Sequence, residues 1–154
     1  MQHMMPKLPP DVVAFLAQHK VMTLATYGPD GPWASAVFYA EDKDGLVFVS
    51  KPSSRHGRNL ADANHCAATI QSEVDDWRAI RGIQLQGSVE LLVDDVLSTA
   101  QQRYGEKFPF ARRGDAVSAL LTALAKVRWY RLHVRRLWFI DNARGFGHRQ
   151  SFDA

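Results

Sequence analysis

Ser50-Lys51-Pro52-Ser53-Ser54-Arg55-His56-Gly57-Arg58 gathers three hydroxyls and four basic side chains within nine residues. The segment joins the end of a predicted strand to the start of a predicted helix. Unpaired backbone N–H groups and the positive end of the helix dipole therefore face the loop. Ser53 and Ser54 add hydroxyl donors, and Arg55 adds a planar fork matched to phosphate oxygens. Lys51, His56 and Arg58 add further positive charge. That chemistry suits a phosphate. Composition alone leaves a second reading open, a capped surface helix with solvated cations.

Other chemistry-bearing residues carry less. Cys66 lies in an apolar strand pattern and reads as a buried, inert thiol. His65 beside it reads as the end of a turn. Asp75 and Asp76 are neighbours on an extended segment and point apart, so they make no acid–base pair. Phe108-Pro109-Phe110 reads as a hydrophobic corner, and Trp33, Trp129 and Trp138 as core or interface. Six histidines and one cysteine show no paired ligand spacing, which predicts no metal site. No catalytic acid or base stands out.

The elements that must position the loop follow from periodicity. After Pro9-Pro10, Asp11 is placed to cap a short helix burying Val12, Val13, Phe15 and Leu16, ending near His19-Lys20. The period then changes to two, giving strands over Val21–Tyr27 and Trp33–Ala40 about a Gly28-Pro29-Asp30-Gly31 reversal. A turn at Asp42–Gly45 leads into a strand over Leu46–Ser50. The helix after Ser54 stops near Asn64, and Cys66–Ser72 reads as a fourth strand. Glu73–Arg78 is a polar break. Ile80–Leu91 then alternates cleanly, with Ile83, Leu85, Val89 and Leu91 on one face. Asp94 or Asp95 caps a helix that reaches Tyr104 and is stopped by Gly105, and Asp115 caps another through Val117, Leu120, Leu121 and Leu124. Val127–Val134 and Arg136–Asp141 are two further strand-like runs before a glycine-rich tail, Asn142–His148.

About six strands with helices at the sides and no βα alternation predict an α+β chain built on an antiparallel barrel. Residues 1–10 read as an N-terminal extension and residues 11–154 as one domain. The 154 residues carry 19 Lys and Arg against 16 Asp and Glu, for a net charge of +3. Residues 1–111 hold ten basic and thirteen acidic side chains, whereas residues 112–154 hold nine and three. The carboxyl-terminal quarter is thus a basic segment on a mildly acidic body. Within it, Val127–Val134 interleaves cations with aromatics. An open single-strand surface would do so, but a barrel strand with one solvated face is favoured. The lone cysteine, the absence of a signal-like apolar core in MQHMMPKLPP and the lack of a long apolar run predict a soluble cytoplasmic protein with no membrane partner.

LVFVSKPSSRHGRNLADAN, Leu46 to Asn64, resembles the strand, Ser-Arg-Lys and helix signature of the pyridoxamine phosphate oxidase-like, FMN-binding split-barrel superfamily. WASAVFYAEDKDG precedes it at that family's spacing, and IRGIQLQGSVELL is similar to a later strand. IRGIQLQG, FPFARR and WFIDNARGFGHR together resemble a small bacterial subgroup more closely still. The likeness covers roughly residues 12 to 149.

The resemblance implies a Greek-key split barrel, FMN as cofactor and a homodimer with cofactor sites between subunits. It implies an oxidoreductase acting on a small molecule. It places Arg55 and His56 at the phosphate, with Ser54 preceding them. Val49 and Ser50 fall beside the ribityl-phosphate side, and Ser35, Ala36, Val37 and Phe38 on the strand whose backbone meets the flavin ring. Gln84 falls at the ring's polar edge, and the tail with Asn142 and Phe146 closes over the partner's cofactor. Ala34 stands where the oxidase has Arg, Tyr39 where it has a substrate-contacting Lys, and His56 where it has Lys. The oxidase's carboxyl-terminal Trp and Arg pattern is absent. These departures point away from pyridoxamine phosphate as substrate. The same superfamily implies haem or a deazaflavin as alternative cofactors, and a non-enzymatic module with a basic carboxyl-terminal surface remains the other reading.

Overall fold

Period-two alternation on most of the strands sends one apolar set inward and closes the chain on itself. The computed structural model describes residues 4–112, 123 and 125–154. Its strands are β1 (Val21–Gly28), β2 (Gly31–Glu41), β3 (Leu46–Ser50), β4 (His65–Gln71), β5 (Arg81–Leu91), β6 (Arg128–Asp141) and β7 (Arg149–Asp153). All pairings are antiparallel, in the order β3-β2-β1-β4-β5-β6-β7, and a further β3–β6 pairing closes the first six into a barrel. The fold is an α+β split barrel with β7 as an extra strand. Its interior is filled by Met22, Leu24, Ile83, Leu85 and Leu132, among others.

Helices plug the two mouths. At one, α1 (Pro10–Gln18) buries Val12, Phe15 and Leu16, each worth roughly 1.5–3 kcal/mol of burial. The Tyr39 hydroxyl donates to the Leu16 carbonyl at 2.7 Å and fixes that plug. At the other mouth, α2 (Arg55–Asp62) adds Leu60 to the core, and Asn59 Nδ2 donates to Thr26 Oγ1 at 3.1 Å. Outside the barrel, α3 (Asp94–Lys107) covers β2 and β3 through a second cluster containing Ala40, Val47, Tyr104 and Phe108.

Two pairing patterns produce the split. β6 lies along β3 through Arg128–Leu132 and along β7 through Arg136–Ile140. β2 is paired with β1 from Gly31 to Phe38 but meets β3 only at Tyr39–Glu41. Among the described residues, the outer edge of Gly31–Phe38 therefore has no neighbouring strand. Its outward N–H and C=O groups are available to a ligand or partner.

Several expectations are corrected. The two runs either side of Arg135 form one strand of 14 residues. Gln86 pairs with Arg136 and Gly87 with Val134, so Arg135 is an extra residue that interrupts the alternation without ending the strand. Gly105 does not stop α3, which continues to Lys107, and Arg112 Nε donates to the Gly105 carbonyl at 2.9 Å, satisfying a last-turn oxygen. Pro9, not Asp11, occupies the N-cap of α1, and Val13 faces solvent. Leu91 is on the predicted inward face but is the last residue of β5, paired with Tyr130 at the barrel mouth, and stays half exposed. β7 was not foreseen within the tail. The helix expected after Asp115 lies largely outside the described residues.

Candidate functional site

Ser54 is the N-cap of α2, its Oγ accepting from Gly57 N at 3.1 Å and donating to the Lys51 carbonyl at 2.7 Å. The loop folds back so tightly that a Cβ on Gly57 would sit 2.6 Å from that same carbonyl oxygen. Glycine is required there by close approach. Arg58 Nη1 donates to the Ser53 carbonyl, while Lys51 and Ser53 stay exposed. Arg55 reaches across to the β1–β2 turn. Its Nη2 donates to the Asp30 carbonyl at 2.8 Å, and its guanidinium lies 4.4 Å from the centroid of the Trp33 ring. Stacking and one hydrogen bond leave other N–H groups of the fork for an anion.

His56 turns inward. Its Nε2 contacts Ser50 Oγ and lies 3.4 Å from Ser54 Oγ, and the two serine oxygens are 3.2 Å apart. Burial pushes its imidazole below the ordinary value, so near pH 7 it is neutral and contributes a hydrogen bond rather than charge. A lowered native pKa means that the unfolded chain binds more protons between that value and about 6.5. The associated stability is present above about pH 6.5 and is lost as pH falls through the native value. Urea midpoints of the native chain should therefore drop more than those of His56→Gln between about pH 7 and pH 5. Parallel curves would refute this.

The other expected cofactor residues fall on neighbouring elements. Ser35, Ala36, Val37 and Phe38 lie on the unpaired edge of β2, separated from Trp33 by one residue. Phe38 packs against Phe108 and Phe110 at 5.2 and 5.8 Å between ring centroids. Val49 packs toward α3, and Ser50 is buried at the end of β3. Gln84 is exposed on the outer barrel face. There, registration places Ala36, Thr23, Thr69, Gln84 and Trp138 in one row and Ala34, Ala25, Ala67 and Gln86 in the next. These small residues floor a cleft of about 530 Å³ bordered by Trp138 and Arg149. No single alanine or threonine signals such a surface in the sequence; only strand register assembles it.

The tail is tied down locally. Asn142 Nδ2 donates to the Trp77 carbonyl at 2.8 Å, and its Oδ1 accepts from Gly147 N at 3.0 Å. Phe146 is almost fully exposed, its ring meeting Trp77 edge-on at 5.7 Å. The basic run of β6 does not form an open stripe. Arg131 is buried against Asp42, Arg136 pairs with Asp153, and Tyr130 faces inward. Cys66 is buried, which raises its thiol to about 12 and leaves it inert.

The closed six-strand barrel, its plugged mouths and its open β2 edge define a split-barrel protein. The chain belongs to the pyridoxamine 5'-phosphate oxidase family, whose sequence profile matches residues 8–142. It is similar to the UPF0306 protein of Cronobacter sakazakii (strain ATCC BAA-894), with 26% identity over 135 residues and 86% of each chain covered. That likeness places it in a subgroup of split barrels rather than with the oxidase itself. A haem-binding protein from Mycobacterium smegmatis superposes with a TM-score of 0.72 at 25% identity, covering 95% of this chain and 59% of that one. This chain thus spans about three fifths of that protein. HutZ, the haem storage protein from Vibrio cholerae, shares the fold at a TM-score of 0.68 and 19% identity, over 82% of this chain and 89% of that one.

Proposed function

We propose that the chain is a homodimeric FMN-binding protein that uses the flavin to oxidise or reduce a small molecule. One observation carries the reading. The Ser53-Ser54-Arg55 loop is held by Asp30 and Trp33 against the start of an unpaired strand edge. A phosphate at the loop leaves a planar heterocycle to run along Trp33–Phe38, where outward backbone groups match a flavin's polar edge. The small-residue face around Ala25, Ala34 and Ala67 suits a second copy of the chain, which would cover the ring.

FMN supplies the redox chemistry when bound. Arg55 and the loop hydroxyls hold the phosphate, His56 keeps Ser50 and Ser54 oriented, and the β2 backbone sets the ring. Arg149 and Trp138 border the outer face. Among the described residues the cleft there is lined by small, amide and aromatic side chains and Arg149, which suit binding and orientation of the ring.

Titration with FMN, read by quenching of flavin fluorescence, tests the site. Arg55→Ala should weaken binding by roughly 100-fold, the scale of two charge-assisted hydrogen bonds, whereas Arg149→Ala should change it less than about threefold. Equal losses would indicate a diffuse electrostatic site, and no quenching with the native chain would remove FMN altogether.

Haem is the second reading, favoured by the haem-binding proteins that share the fold. Arg55 and the loop would then hold a propionate carboxylate. A Soret band on adding hemin, with no flavin quenching, selects it.

A further inference from the structure

α2 plugs its mouth of the barrel off centre. Its packing is chiefly on β1 and β2, with Asn59 bonded to Thr26, and it leaves the opposite wall of β5 and β6 uncovered. A cleft of about 420 Å³ opens there, within the range of small-molecule sites and at a barrel mouth, where such sites recur. Leu60 and Ala61 of α2 form one side, and Val89 and Leu91 of β5 the other. β6 supplies two polar groups, Arg128 and Tyr130.

We infer that this cleft, which Pro52 and Gly57 of the same loop also line, is a second ligand site facing β5 and β6, where Arg55 faces the β1–β2 turn, and that it takes an amphiphilic monocarboxylate. The walls are aliphatic, and half-exposed Leu91 extends them to the rim. Arg128 is the one charged group of the lining among the described residues. Among the described residues it makes no ion pair, and its only hydrogen bond runs from Nη1 to the Val127 carbonyl at 3.2 Å. The rest of the fork is free for a carboxylate. Tyr130 is largely buried and stacked on Phe48 at 5.3 Å, yet its hydroxyl has no hydrogen-bond partner among the described residues. Burial raises the Tyr130 phenol, and Arg128 stands two residues before it on β6, on the same side of the strand and in the same cleft wall. A carboxylate between them would satisfy both. Its hydrocarbon tail would lie along Leu60 and Val89, where each buried methylene adds about 0.8 kcal/mol. A neutral alcohol of equal length gains the tail but not the charge.

Calorimetric titration with octanoate and with 1-octanol separates the contributions. The native chain should bind octanoate at least about tenfold more tightly than octanol. Arg128→Gln should remove that preference, with octanoate weakened about tenfold and octanol unchanged. Ala61→Trp, at an exposed position on the cleft wall, should abolish both heats without moving the thermal midpoint. Arg55→Ala should leave octanoate binding intact while weakening FMN, so failure of either site is read independently. Equal affinity for acid and alcohol, persistent binding in Ala61→Trp, or absence of heat with the native chain overturns the proposal. Octanoate-driven dissociation of an oligomer would also overturn it, by showing a second copy of the chain in the cleft.

Discussion

Asp42→Ala should lower the unfolding free energy by about 3–5 kcal/mol, the scale for breaking a buried ion pair by removing one partner. Asp42 and Arg131 are both almost wholly buried. Asp42 Oδ2 accepts from Arg131 Nε at 2.9 Å and Nη2 at 2.5 Å, while Oδ1 accepts from Asp44 N at 2.9 Å and Gly45 N at 2.8 Å. One carboxylate therefore shapes the turn into β3 and neutralises a cation on β6, the strand that closes the barrel onto β3. Alanine leaves the Arg131 charge with only Glu90, 3.9 Å away and half exposed. Asp42→Asn keeps an oxygen for the turn and should lose less. Urea unfolding with an unchanged slope measures both. Equal losses would assign the whole effect to the buried charge, and a negligible loss in Asp42→Asn would assign it to the turn amides. Since β3 ends in Ser50 and delivers the Lys51–Ser54 loop, the weakened seam should also loosen the proposed FMN site.

The loop was legible because its signals are local. A hydroxyl at the N-cap, a basic first turn and an apolar strand before it lie within a dozen residues. β5 was legible because its alternation is regular. β6 was broken in two on paper because Arg135 adds one residue to a period of two, and only pairing with Gln86 and Gly87 shows that the strand continues. β7 escaped because Arg-Gln-Ser-Phe-Asp has one apolar residue to alternate. Within the site, cation charge at His56 was read from residue type, whereas its state follows from burial against Ser50. The Arg55–Trp33 stack joins residues from two elements and leaves no trace in either segment. The cleft beside α2 has the same origin. It follows from where the helix leans, not from any motif.

Gly87→Ala should destabilise the chain by about 3 kcal/mol, at the upper end of ordinary overpacking. A Cβ on Gly87 would stand 1.9 Å from the His133 carbonyl oxygen and 2.8 Å from its carbon. Backbone cannot rotate aside as a long side chain can, so β5 and β6 would have to part. The β5–β6 register shifts at this point, between Gln86 and Gly87, opposite the bulge at Arg135. Gly82 provides the comparison within the same strand, because its Cβ would come no nearer than 3.2 Å to the Ile70 oxygen. Gly82→Ala should therefore cost less than about 1 kcal/mol, a neighbour's shift of a few tenths of an ångström being partly offset by better strand propensity. Thermal unfolding of the two variants separates the causes. A large loss at Gly87 alone assigns it to the bulge, and matching losses would assign it to the glycine positions in general. The bulge also brings the inward set Tyr130, Leu132 and Val134 into phase with Leu137 and Phe139, so if Arg135 were kept in regular alternation the second half of β6 would present Arg136 and Trp138 to the core. Gly87 is thus the residue that lets one long strand serve both the closed barrel on β3 and the open half that carries β7.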